Sequence, residues 1–335
     1  SSTAASHQRA FVIEVMGRHA GYLALMGALA AGADFALIPE SPPDVPDWRA
    51  TMCEILDAGL AEGRRDSIVI VAEGAVDREG NPISAVDVQM AIAKGMNEDV
   101  RVTVLGHVQR GGSPTAFDRI LSTRMGVEAI NAVMDAGPSA EPILIGINSN
   151  LITRLPLMTC VNTNQAINEA INTLNFDKAM ELGGPAFESA FRTLRTLVRA
   201  MPHPPEEGQP QLRIGIMNAG GPAPGMNAAV RAAVRLILDR GHEPVGIERG
   251  FRGLIRGETH GLHWMDVDGW AAIGGSELGT SRKVPTSRDY YAIARTLEEN
   301  RLDALLFIGG WSGYRGAIQL YEERKNFSAF NIPMI

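Results

Sequence analysis

The decapeptide Leu105-Gly106-His107-Val108-Gln109-Arg110-Gly111-Gly112-Ser113-Pro114 sets a histidine and an arginine three residues apart, then two glycines and a proline. It follows the β-branched run Val102-Thr103-Val104. The two polar heads are therefore expected at the end of a strand, presented into an open turn. An arginine fork donates hydrogen bonds in pairs and suits a phosphate or a carboxylate. A histidine and an arginine alone also fit a structural role. A second place for an anion is Asn218-Ala219-Gly220-Gly221-Pro222-Ala223-Pro224-Gly225, between a predicted strand and a predicted helix. Strand, glycine turn and helix together aim free backbone N–H groups at an anion, although the same glycines also make a plain βα turn. Arg231 and Arg235, one turn apart on that helix, either converge on one anion or form a solvated face. A third turn of this type, Gly309-Gly310-Trp311-Ser312-Gly313-Tyr314, carries a tryptophan where a phosphate needs room.

These turns depend on an alternation of strands and helices. Strands are predicted over 11–15, 36–38, 67–72, 101–105, 142–148, 212–217, 245–247 and 304–308. Helices are predicted over 19–33, 47–63, 85–96, 117–136, 163–174, 186–199, 226–240, 288–300 and 313–325. Asp47 is the expected N-cap of the second helix, and Gly137 and Pro138 close the fourth. Such alternation implies βαβ units and a mostly parallel sheet. Met201 to Pro210 holds four prolines and no apolar period, which marks a linker over 201–211.

The bulk composition excludes several classes. A formal net charge of −7 argues against nucleic acid as the main partner. Cys53 and Cys160, the two cysteines, form neither a disulfide framework nor a metal-ligand spacing, which fits a reducing compartment. The longest apolar stretch, 22–33, is broken by Gly27 and Gly32 and is too short to span a bilayer. No signal peptide is visible. With 335 residues, two domains are expected. The missing initiator methionine and the strand-like Asn331-Ile332-Pro333-Met334-Ile335 lead us to expect an excerpt of a longer protein.

Taken together, the blocks Ser6-His7-Gln8-Arg9, Glu14-Val15-Met16-Gly17-Arg18, Val71-Ala72-Glu73-Gly74, Arg101 through Pro114, the loop at 220–225 and Ile308 through Tyr314 resemble the ATP-dependent 6-phosphofructokinases. The resemblance is to the double-length form, in which two homologous halves are fused. It implies an α/β fold, a parallel-sheet sandwich of phosphofructokinase type with each half only partly present. Residues 1–200 then correspond to the rear of the first, catalytic half, 201–211 to the linker, and 212–335 to the front of the second, regulatory half. The implied activity is phosphorylation of fructose 6-phosphate at its 1-hydroxyl by ATP, with magnesium, in glycolysis.

Residue by residue, Met16, Gly17 and Arg18 resemble the loop that holds the sugar, and Glu73 the carboxylate that accepts a sugar hydroxyl. His107 and Arg110 resemble the pair on the 6-phosphate side. Arg9 and Arg101 resemble arginines that reach across a subunit interface, here toward an effector pocket for a fructose bisphosphate. Gly220, Gly221, Gly225, Gly309 and Gly310 belong to nucleotide-like loops. A homo-oligomer in the cytoplasm is implied, with neither membrane nor nucleic acid as partner.

The departures are informative. The family's Thr-Ile-Asp-Asn-Asp segment, which holds its catalytic aspartate, and its first-half Gly-Gly-Asp-Gly-Ser loop are absent from these residues. No catalytic residue and no metal ligand is therefore assigned in this chain. Pro222 stands where the family has an aspartate, and Trp311 interrupts the second-half loop. Two other readings stay open: a pyrophosphate-dependent phosphofructokinase, and a non-catalytic metabolite-binding regulatory module.

Overall fold

The structure is a computed structural model that describes residues 10–148 and 150–335. Strand β1 (Ala10–Val15) lies inside a four-stranded sheet of order β2-β3-β1-β4, with β2 Phe35–Leu37, β3 Ser67–Ala72 and β4 Val100–Val104. All pairings are parallel, in the register Ala10↔Ser67 and Ala10↔Val100. The side-chain period of two sends alternate residues to opposite faces. Val12, Val69 and Val71 join one core with helices α2 (Trp48–Ala61) and α3 (Ala85–Met96). Val15, Ile70 and Ala72 join another with α1 (Tyr22–Ala31) and α7 (Pro185–Arg199). A parallel sheet covered on both faces reads as near-continuous apolar runs, which is why β1 and β3 were legible.

Helix starts follow their caps. Asp47 Oδ1 accepts from Arg49 N at 3.0 Å and Ala50 N at 3.1 Å, so α2 begins where the sequence places it. Ser84 with Asp87 and Thr115 with Asp118 form reciprocal capping boxes at the starts of α3 and α4 (Ala116–Asp135).

A second sheet has the order β10-β7-β8-β9, from β7 (Arg213–Ala219), β8 (Glu243–Ile247), β9 (Thr259–Gly261) and β10 (Ala304–Gly309). Its strands are parallel except β9. Helix α8 (Met226–Asp239) covers one face through Val230 and Val234. Helices α9 (Phe251–Arg256), α10 (Tyr290–Glu299) and α11 (Trp311–Glu322) cover the other. At the chain's end, Ile335 N donates to Leu305 O at 3.0 Å and Met334 bridges Leu305 in parallel, as the strand-like ending predicts.

Several features correct the sequence reading. β5 (Ile143–Asn148) does not join a parallel sheet. It forms an antiparallel hairpin with an unforeseen strand, β6 (Leu151–Pro156). Asn150, at φ 66, supplies the left-handed turn residue that a tight reversal needs. α5 (Leu157–Asn172) starts well before position 163, its predicted start. α6 (Phe176–Gly183), α9 and β9 were not foreseen; at three to eight residues, they are too short for periodicity to register. The 201–211 segment has no regular element, as expected, but it is tied along the C-terminal end of α8: His203 N donates to Leu238 O and Met201 N to Asp239 Oδ1. Both cysteines are free thiols. Among the described residues, no helix is long and apolar enough to cross a membrane.

Candidate functional site

Three loops meet at the carboxyl ends of β1, β3 and β4, the edge at which open α/β sheets bind ligands. The loop after β1 carries Met16, Gly17 and Arg18. The loop after β3 carries Glu73 and Gly74. The segment after β4 carries His107 and Arg110. Hydrogen bonds join all three. Glu73 Oε2 accepts from Gly17 N at 3.1 Å and Arg18 N at 3.0 Å. These two bonds, that from Arg18 first, hold the carboxyl below the usual carboxylate range, because a charge that accepts backbone N–H bonds is favoured. One oxygen of Glu73 is thus fixed by the loop, and the other has no donor among the described residues. Gln109 Oε1 accepts from Met16 N at 2.8 Å, which ties the third segment to the first.

The β1 loop needs a specific backbone. Arg18 lies at φ 53, a region that side-chain-bearing residues enter rarely. Gly74 makes room for it: a Cβ on Gly74 would sit 2.1 Å from Arg18 O. At its far end the loop enters α1, where the buried Glu40 carboxylate accepts from Gly21 N at 2.8 and 3.0 Å. Burial pushes Glu40 up from the ordinary carboxylate range.

The turn after β4 is not open. Residues Gly106–Arg110 form a short 3-10 helix, held by Val108 N to Leu105 O and Gly111 N to Val108 O. His107 and Arg110 are exposed on it. Among the described residues neither has a side-chain hydrogen bond or ion pair, so both remain available to an anion. Arg101 lies on β4 and pairs with Asp99 at 3.3 Å, both half-exposed. Arg9, with the rest of Ser6-His7-Gln8-Arg9, lies outside the described residues.

The second glycine loop opens a cleft of about 600 Å³, lined by Gly220, Gly221, Gly225, Gly309, Gly310, Trp311 and Arg282 among others. Gly220 sits at φ 109. Gly309 packs on β7 so closely that a Cβ would lie 1.9 Å from Ala219 O. Trp311, 73% exposed, begins α11 directly after Gly310, two residues before the predicted start. Among the described residues no carboxylate lines this cleft, and the Arg282 guanidinium does. A divalent cation takes carboxylate and carbonyl oxygens, so the residues here do not fit magnesium.

Arg231 and Arg235 correct the sequence reading. They neither converge on the glycine loop nor face solvent. Both line a small cavity against the first unit, but only Arg231 reaches toward that unit's residues. Arg235 is buried, stacks 3.1 Å above the Trp264 ring and pairs with Asp268 at 3.2 Å. Burial first, then the nearby Arg231, pulls it down to about 9. Arg231 approaches Gly32 at the end of α1, and Asp34 tempers the cost of its burial. Asp34 pairs with buried Arg64 at 2.6 Å. With Trp264 and α7 these groups enclose a small cavity of about 30 Å³. A cavity of about 670 Å³ lies elsewhere along α7, lined by Arg192, Arg195 and Arg199 with Glu181 and Glu188. It includes none of the predicted site residues.

Gln109, Glu40 and Arg282 were not singled out by sequence. Gln109 stood inside the quoted decapeptide, but its residue type carries no signal of direction. Arg282 becomes visible only through the loop geometry, 3.6 Å from a Cβ on Gly221.

The described residues thus form two α/β units, each with a mainly parallel sheet and glycine-rich or polar loops at the carboxyl ends of its strands. A family model for phosphofructokinase matches residues 1–133 and 213–335, and the chain belongs to that family. The muscle-type ATP-dependent 6-phosphofructokinase of Canis lupus familiaris is 42% identical over 335 residues, 100% of this chain and 43% of that protein. The liver-type enzyme of Rattus norvegicus is 44% identical over 334 residues, 100% of this chain and 42% of that protein. The chain thus spans less than half the length of the curated relatives it matches. Phosphofructokinase from Saccharomyces cerevisiae superposes with a TM-score of 0.93 at 39% identity, covering 100% of this chain and 44% of that one. Pichia pastoris phosphofructokinase in the T-state gives 0.92 at 40%, covering 99% and 36%.

Proposed function

We propose that this chain is the sugar-phosphate side of a first, catalytic phosphofructokinase half (1–200), a linker (201–211) and the front of a second, regulatory half (212–335). The whole protein would phosphorylate fructose 6-phosphate at its 1-hydroxyl with ATP, in cytoplasmic glycolysis, as a homo-oligomer. The observation that carries this reading is the convergence of three strand-end loops. A carboxylate fixed by loop amides lies on one side, and two unpaired cationic or hydrogen-bonding heads lie on the other. Glu73 receives a sugar hydroxyl through its unoccupied oxygen. Met16, Gly17 and Arg18 frame the ring. His107 and Arg110 hold the 6-phosphate, where charged hydrogen bonds each contribute roughly 1.5–3 kcal/mol.

The chemistry of transfer needs a general base for the 1-hydroxyl and magnesium to neutralise charge on the transferring group. Neither is assigned to a residue here, and the second-half cleft does not suit the metal. Arg9 and Arg101 are read as serving an effector pocket for a fructose bisphosphate in the second half. For that half alone a non-catalytic, metabolite-binding reading is favoured by Pro222, Trp311 and the absence of any carboxylate from the cleft lining.

Calorimetry of this chain with fructose 6-phosphate tests the proposal. Binding without ATP turnover is expected. Arg110→Ala is expected to weaken binding roughly 10- to 150-fold. Unchanged affinity in that variant refutes the phosphate role, and ATP turnover by the chain refutes the division of labour between the halves.

A further inference from the structure

Gln109 sits between His107 and Arg110 in the phosphate turn, yet its side chain reaches across to the β1 loop, where its Oε1 accepts from Met16 N at 2.8 Å. That loop is strung on three side-chain acceptors. Gln109 holds Met16, Glu73 holds Gly17 and Arg18, and Glu40 holds Gly21. With Arg18 at φ 53, its backbone is not one the segment would keep without such restraints. Of the three acceptors, only Gln109 comes from the segment that carries the phosphate heads.

We propose that Gln109 is a positioning residue that fixes the distance between the hydroxyl-reading loop and the phosphate-reading turn. It thereby sets selectivity for a hexose phosphate over phosphate alone. This rests on the sugar-phosphate reading above. The residue type fits the task. A glutamate would accept the same Met16 N–H, but it would place a negative charge beside a bound phosphate. An apolar side chain of equal length would leave the amide without its acceptor. Gln109 is exposed, so losing its bond moves the loop without opening a core.

The test compares two variants of this chain and two probes. Fructose 6-phosphate is titrated by calorimetry and inorganic phosphate by phosphorus NMR, at matched ionic strength. Gln109→Met is expected to weaken fructose 6-phosphate roughly 3- to 10-fold and to leave inorganic phosphate unchanged, so the ratio of affinities falls. Gln109→Glu retains the acceptor. It is expected to weaken both probes by a similar factor and so to restore the ratio. Equal losses for both probes in Gln109→Met, or no loss for either, overturn the positioning role. A wild-type chain that binds inorganic phosphate but gains nothing from the sugar overturns the sugar-phosphate reading itself, a separate outcome.

Discussion

Asp34→Ala breaks a buried ion pair of the first unit, beside the contact with Arg231, Arg235 and Trp264 of the second. In the wild-type chain Asp34 Oδ1 meets Arg64 Nη1 at 2.6 Å and Oδ2 accepts from Ile68 N at 2.8 Å. The side chains are only 14% and 7% exposed. Arg64 also donates to Leu56 O at 3.0 Å and Ser67 Oγ at 3.2 Å. Burial pushes the Asp34 carboxyl up, and Arg64 is the main group opposing it. Removing the carboxylate strands a buried guanidinium and a buried amide. Breaking a buried pair from one side costs about 3–5 kcal/mol. For a unit of this size that lowers the melting temperature by roughly 6–20 °C. Replacing both partners, as Asp34→Leu with Arg64→Met, removes both charges and is expected to recover most of the loss. Melts followed by circular dichroism give the stability. Fluorescence of Trp264, which donates to Ala200 O at 3.1 Å and stacks on Arg235, reports on the contact itself. A single variant that melts within about 2 °C of wild type refutes the reasoning. So does a double variant as unstable as the single one.

Gly74→Ala is expected to displace the β1 loop, because its Cβ would meet Arg18 O at 2.1 Å. Fructose 6-phosphate affinity falls by at least about tenfold with little change in secondary structure, checked by calorimetry and circular dichroism. Glu40→Gln tests the buried carboxylate above α1. Burial raises the Glu40 pKa above its ordinary 4.5, so the folded state holds this proton more tightly than the unfolded state does. Its contribution to stability is full below that value and is lost as pH rises through the folded pKa. The variant should therefore gain on wild type in melting temperature as pH rises above 4.5; a flat or inverted difference contradicts this.

Much of the architecture was legible because buried parallel strands write themselves as apolar runs. β3 and α3 fall on their predicted residues, and the Asp47 cap sets α2 where its side chain can accept two amides. That Glu73 belongs with Met16, Gly17 and Arg18 was implied by the family resemblance, and Glu73 does accept from the Gly17 and Arg18 amides. What was not legible depends on direction. Gln109 and Arg235 are residue types that suit a surface equally well. Nothing local says that one turns onto a neighbouring loop and the other inward under a tryptophan. The β5–β6 hairpin escaped because Leu151–Pro156 follows a predicted strand closely, and short antiparallel pairs leave little periodic signal.

The two arginines on α8 show why glycine loops and helix faces must be read separately. The N-terminus of α8 opens at the Gly220–Gly225 loop, where backbone amides, Arg282 and Trp311 shape the cleft. Val230 and Val234 bury one stripe of the helix against its own sheet, while Arg231 lies beside Gly32 and Asp34 of the first unit and Arg235 is held by Trp264 and Asp268 of the second. A guanidinium stacked on an indole and paired with a carboxylate loses much of its solvation, and this one is drawn down to about 9. Such a group cannot also serve an anion at the far end of the helix. Among the described residues that line the cleft, the charged group is Arg282, which stands beside the backbone amides at the start of α8.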